Sequence, residues 1–110
     1  MAARSTQLYA GDISSTGEHL LFTVPDGKVC IWKSAVVYSA YASAQRIYFT
    51  IDNGSSNLAY IPVYCGATGS AGDVQIVPLW IVLAEGQRIQ VTPAHTEITV
   101  VLSGALLDLV

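Results

Sequence analysis

Charge is scarce in this chain. Only 12% of its 110 residues are Asp, Glu, Lys or Arg, roughly half the ~25% share of an average soluble domain. A domain of this size exposes much of its surface, and one with few charges exposes apolar patches that monomers avoid. Oligomerisation, or permanent docking on a larger assembly, is the expected consequence. Five bases and eight acids are scattered singly, for a net charge of −3. Without a basic stripe to neutralise phosphates, nucleic acid is not an expected partner.

Long apolar runs are also missing. The best stretch, Ile76 to Ala84, contains Pro78 and falls far short of the ~18–20 residues of a membrane span, so no membrane partner is expected. The first residues, Met1-Ala2-Ala3-Arg4-Ser5-Thr6-Gln7, turn polar at once and offer no apolar signal-peptide region, which predicts assembly in a cytoplasm. Cysteine is confined to Cys30 and Cys65. Both fall in candidate strands and are expected as buried thiols in a reducing compartment. Their spacing leaves a disulfide between them open.

Residue sets that run chemistry are lacking too. His19 and His95 stand apart from each other and from any acid cluster, and are expected as surface polar residues. There is no His-x-His pair with a nearby Glu for a metal site of the cupin type, and no Gly-x-Ser-x-Gly elbow for a nucleophile. Calcium would need a density of acids that Asp52-Asn53 alone does not supply. Asp12, Asp26, Asp52, Asp73 and Glu85 each neighbour a glycine or asparagine and are expected to favour turns. The sequence therefore predicts no catalytic residue, metal or cofactor, and no enzyme activity.

What the sequence does have is alternation. Period-two apolar patterning recurs from end to end, and no window sustains a helical repeat. Extended pieces are predicted near Ser5 to Tyr9, over His19 to Val24, and over Val29 to Tyr41 as a strand that bends or passes between sheets. Gln45 to Ile51 alternates cleanly, with Ile47, Phe49 and Ile51 on one face. Leu58 to Cys65 carries Pro62, the mark of an edge or bulge. Val74 to Leu83 is the most apolar stretch, predicted to be buried on both faces or at a subunit contact. Arg88 to Thr92 and Glu97 to Leu107 complete about eight antiparallel strands, an all-β sandwich or jelly roll spanning residues 1–110 as one domain. Gly11 to Gly17 and the glycine-rich Gly66 to Gly72 read as loops, the second as a flexible one.

Three glycines punctuate the pattern. Pro25-Asp26-Gly27-Lys28 and Ala84-Glu85-Gly86-Gln87 are the same turn used twice, each between apolar strands, and both are predicted to close hairpins. Asp52-Asn53-Gly54 supplies the positive-φ positions of a third. Among the aromatics, Trp32 and Trp80 are expected in the core. Tyr38, Tyr41, Tyr48 and Tyr60 are the better interface candidates, because a tyrosine buries ring area while its hydroxyl stays wet. The apolar chain end adds Leu106, Leu107, Leu109 and Val110.

The stretch Leu21-Phe22-Thr23-Val24-Pro25-Asp26-Gly27-Lys28-Val29 resembles the "F-x-V-P-x-G-K, strand" opening of small β-sandwich virion proteins of tailed bacteriophages. Trp80 to Val91 and Val100-Val101-Leu102-Ser103-Gly104-Ala105 resemble the "W-x-V-L-x-x-G-D-x-I-x-V" and "V-x-x-S-G" closing strands of that group. Gln87 stands where that pattern often has an acid. The resemblance implies a virion component with no catalytic residues, often a homotrimer. Capsid decoration or cement by symmetric apolar docking on the major capsid protein is the leading expectation. A tail-associated or receptor-binding module contacting host glycan or protein is the alternative.

Overall fold

Residues 3–66 and 72–109 are described by a computed structural model. Within them, alternation becomes eight strands and no helix: β1 (Ala3–Ile13), β2 (His19–Thr23), β3 (Lys28–Ser39), β4 (Gln45–Asp52), β5 (Asn57–Cys65), β6 (Asp73–Leu83), β7 (Arg88–Pro93) and β8 (Ile98–Asp108). They form two four-stranded sheets, ordered β1-β8-β3-β6 (sheet A) and β2-β7-β4-β5 (sheet B). Every pairing is antiparallel.

The pairs β1–β8, β2–β7, β3–β6 and β4–β5 are those of one long hairpin folded about residues 53–56. Rolling that hairpin splits it into two sheets and adds the contacts β3–β8 and β4–β7. This is the jelly-roll topology. The expected all-β architecture of about eight antiparallel strands is present.

Inward positions are filled as the period-two rule requires. Ile47, Phe49 and Ile51 of β4, Ile89 and Val91 of β7, and Ile98, Val100 and Leu102 of β8 are all buried. In β3 the inward set changes phase, from Cys30 and Trp32 to Ala35 and Val37. The register shift between Trp32 and Ser34 causes this, so the predicted bend is a bulge that re-aims one strand. Trp32, fully buried, meets Phe49 of the opposite sheet edge to face at 5.5 Å and donates its indole N–H to the Ser34 carbonyl at 2.9 Å. The hydrogen bond satisfies the only polar atom of that side chain, which makes its burial favourable.

Gly27, Gly54 and Gly86 all take positive φ, at 77°, 93° and 83°. Only the third turn behaves as predicted, joining the hydrogen-bonded neighbours β4 and β5 around Gly54. The repeated turn does not close hairpins. β2 and β3 lie in different sheets, as do β6 and β7, so Gly27 and Gly86 serve two corners where the chain crosses between layers.

Because β2 pairs with β7 and β3 with β6, the corners lie side by side. Val24 N donates to the Gln87 carbonyl at 2.9 Å, and Gly86 N to the Val24 carbonyl at 3.0 Å.

Other boundaries differ in detail. β1 extends to Ile13, through the start of the predicted loop, because β8 offers it partners as far as Ile98. Residues 67–71 of the predicted glycine-rich loop lie outside the described residues.

Candidate functional site

The outer face of sheet A is where the apolar excess appears. Along β6, Leu83 is buried and the odd-numbered positions before it are half-buried toward the core, while every even-numbered residue faces outward. Val74, Ile76, Trp80 and Val82 are 53, 72, 70 and 61% exposed, and Pro78 is exposed between them. This corrects two expectations. Trp80 is not in the core, and β6 is not buried on both faces, because it is an edge strand with no second layer over its outer side among the described residues.

Register carries the apolar surface onto the neighbouring strands. Ile76 stands beside Val36 of β3, which stands beside Val101 of β8, and Val74 stands beside Tyr38. The Lys33 ammonium lies over the Trp80 ring, 5.5 Å from its centroid, holding a cation against the aromatic. The stripe from Val74 to Val82 carries no charge of its own on this face.

The outer face of sheet B is mainly polar and aromatic, with Leu20 and Leu58 exposed on its two edge strands. Tyr60 and Tyr64 on edge strand β5 are each 63% exposed. Tyr48 on β4 is half-buried beneath the Arg46 guanidinium, 4.9 Å from its centroid. At the end of this face Arg88 grips Asp52 through two bonds, Nε to Oδ1 at 2.7 Å and Nη2 to Oδ2 at 3.1 Å. Asp52 is 5% exposed. The Arg88 hydrogen bond holds its carboxyl below the usual carboxylate range against the opposing effect of burial, and the Gly54 amide assists. The Arg88 guanidinium is correspondingly pushed up. Asp52 is thus more than a turn former, since it joins β4 to β7.

Three of the other acids accept hydrogen bonds of their own. Asp73 accepts from Gly66 N and from Gln75 Nε2 at 2.9 and 2.8 Å, and these bonds, the Gln75 bond foremost, hold its carboxyl down. Asp12 accepts from the Thr99 hydroxyl at 2.6 Å. Glu85 bonds across to the Gly27 amide rather than within its own turn. In that turn Gln87 Oε1 accepts from Ala84 N at 2.8 Å, so the amide that stands in place of an acid still supplies the acceptor.

His19 is held by the Ser15 carbonyl at 2.9 Å, and His95 stacks on Tyr41 at 4.2 Å. Buried Gln45 ties the strand ends together nearby, donating to Ser39 Oγ and accepting from His95 N. Among the described residues no three His, Cys, Asp or Glu side chains converge to hold a metal ion. Both cysteines are buried and free. Burial pushes the Cys30 thiol up to about 11. The Cys65 thiol rises through burial, with a smaller push from the Asp73 charge.

The predicted interface residues do not form one surface. Tyr38 lies on sheet A, Tyr48 and Tyr60 on sheet B, and Tyr41 in the β3–β4 connection. Leu106 packs against the core, Leu107 is half-buried beside Val29, Leu109 is exposed, and Val110 lies outside the described residues. Sequence reasoning missed Ile76, Trp80 and Val82 as surface residues because both faces of β6 are apolar. Pro78 is the signal that could have placed the strand at an edge, as Pro62 does for β5.

These two faces belong to a jelly-roll protein, a fold shared by viral capsid, lectin and cupin domains. No family model matches the chain, and no curated protein matches it. Among solved structures it is similar to a pentameric capsid protein isolated from metagenomic phage sequences, with a TM-score of 0.42 and 16% identity. The match covers 93% of this chain and 59% of that one, a likeness too distant to transfer a function.

Proposed function

We propose that the protein is a structural component of a tailed-phage virion that associates with further copies of itself through the outer face of sheet A. The observation that carries this reading is the uncharged stripe Val74, Ile76, Pro78, Trp80 and Val82 on an edge strand. With Tyr38 it exposes on the order of 600 Å² of mainly apolar surface, at the upper limit for the largest patch on a monomer and near the ~800 Å² per partner of a standard interface. At ~25 cal/mol per Å² its burial contributes about 15 kcal/mol per protomer. Association costs of ~4–15 kcal/mol oppose this, so the area sets the scale of the contact and not its affinity.

The phage part of the reading rests on the sequence resemblance around Gly27, Gly86 and Gly104. Within it, the role is capsid decoration or cement, with a homotrimer seated on the shell of the major capsid protein. Affinity confined to the assembled shell stabilises that shell by mass action. Analytical ultracentrifugation of the purified chain tests the contact. Wild type is expected as a trimer, and I76D/W80D as a folded monomer with unchanged circular dichroism. Particles lacking the protein are expected to lose thermal stability. A wild-type monomer that binds no particle would overturn the reading.

A further inference from the structure

The outer face of sheet B presents a second site, on the opposite side of the sandwich from the proposed contact. A depression of about 490 Å³ lies there, lined by Glu18, Tyr48, Thr50, Asn57, Tyr60 and Thr92. We propose that it binds a neutral saccharide of one or two rings.

Size and chemistry both lead to this class. The volume lies in the ~300–1,000 Å³ range of small-molecule sites. Four hydroxyls that donate or accept, one amide and one carboxylate match a polyol, whose every group does both. No Lys, Arg or His is among the lining residues, and the nearby Arg46 and Arg88 are engaged with Tyr48 and Asp52. A phosphate or acidic sugar would therefore meet the Glu18 carboxylate and not a cation in the lining. The polar lining also disfavours a purely apolar ligand, which would leave those groups desolvated and unpaired.

The aromatic groups are held in place before any ligand arrives. The Asn57 amide donates to the Tyr60 hydroxyl at 2.7 Å, fixing a ring that remains 63% exposed and so presents apolar area to the C–H side of a pyranose. Tyr48 is covered by the Arg46 guanidinium. Little side-chain entropy is then lost on binding.

Gln90 is a neighbour of the depression and not part of its lining. It stands abreast of Thr50 in the ladder, opposite in facing to the buried Ile89 and Val91. It is 5% exposed, and its Oε1 has no hydrogen-bond partner among the described residues. Its burial by protein atoms keeps Gln90 out of a ligand's direct reach, so it reports on the site only through its neighbour Thr50.

The test is a titration of the full-length ¹⁵N-labelled chain with methyl glycosides of glucose, galactose and N-acetylglucosamine, and with maltose. Glucuronic acid and N-acetylneuraminic acid are the anionic probes. At least one neutral sugar is expected to produce saturable shifts at Tyr48, Thr50, Tyr60, Gln90 and Thr92. Tyr60→Ala should weaken its binding at least tenfold, and Tyr64→Ala, an exposed ring outside the depression, should leave it within twofold. Should Tyr60→Ala fail to fold, Thr92→Lys, which places a long cation in the depression, is read in the same way. Absence of saturable binding by every neutral sugar, tighter binding of an anionic one, or wild-type affinity in the variants overturns the proposal. Sedimentation of the same samples reports the sheet A contact separately, so either idea can fail alone.

Discussion

The Glu85 carboxylate accepts a 2.7 Å hydrogen bond from the Gly27 amide, 58 residues away in the chain. It fastens the β6–β7 corner to the β2–β3 corner, which the backbone bonds of Val24 already bring together. Replacing Glu85 with Ala removes a charge-assisted acceptor at an exposed site, where such bonds contribute modestly. The melting temperature is expected to fall by ~2–4 °C. Exchange of the Gly27 amide should accelerate, and Glu85→Gln should restore most of both properties.

Gly104 has a different reason to be glycine. A Cβ placed there would lie 2.2 Å from the Ile31 carbonyl oxygen and 3.2 Å from the Trp32 Cα, beside the bulge of β3. Both are backbone atoms of a central strand, which cannot turn aside as a side-chain end can. Gly104→Ala is therefore expected to destabilise by ~2–4 kcal/mol, read as a lower urea midpoint. A midpoint equal to wild type would show that β3 and β8 separate freely at this position.

How much of this was legible in the sequence depends on what each residue reports. Ile47, Phe49 and Ile51 predict their burial directly, because alternation against one core is a local property. Asn53-Gly54 likewise predicts a hairpin that exists. The partners of a strand are not local. Gly27 and Gly86 declare a reversal of direction, but whether the chain re-enters the same sheet or crosses to the other depends on strands more than fifty residues away. β6 is ambiguous for a related reason, since Leu79 and Trp80 are both apolar and only the strand order places one outside. The tyrosines fall between these cases. Their amphipathic chemistry marks them as surface residues, while their division between opposite faces follows from topology alone.

The Asp52–Arg88 pair sets an expectation for acid stability. Its carboxyl is held below the range of an unfolded chain, so the unfolded state binds the proton first as pH falls. The associated stability is fully present above the unfolded pKa of ~3.9 and is lost as pH drops through the lower folded value. Asp52→Asn should lower the melting temperature at pH 7 and narrow its difference from wild type below pH ~4. A difference that stays constant from pH 7 to 2 would show that the carboxylate charge is not what the pair contributes.

Cys30 predicts the opposite limb of the pH profile. Its thiol is fully buried in the core between the sheets, and burial raises its pKa from 9.0 to about 11. A thiol held protonated while the unfolded chain ionises makes stability flat below pH ~9 and declining above it, fully lost once pH passes the folded value. At pH 10 this amounts to about 1 kcal/mol. The same burial protects the sulfur chemically, because the thiolate is the nucleophile. Native protein at pH 8 should therefore react with a thiol-specific disulfide reagent only as fast as it opens, both Cys30 and Cys65 appearing together on unfolding. Prompt labelling of Cys30 without loss of circular dichroism would show that the sheets part locally at the corner next to Gly27.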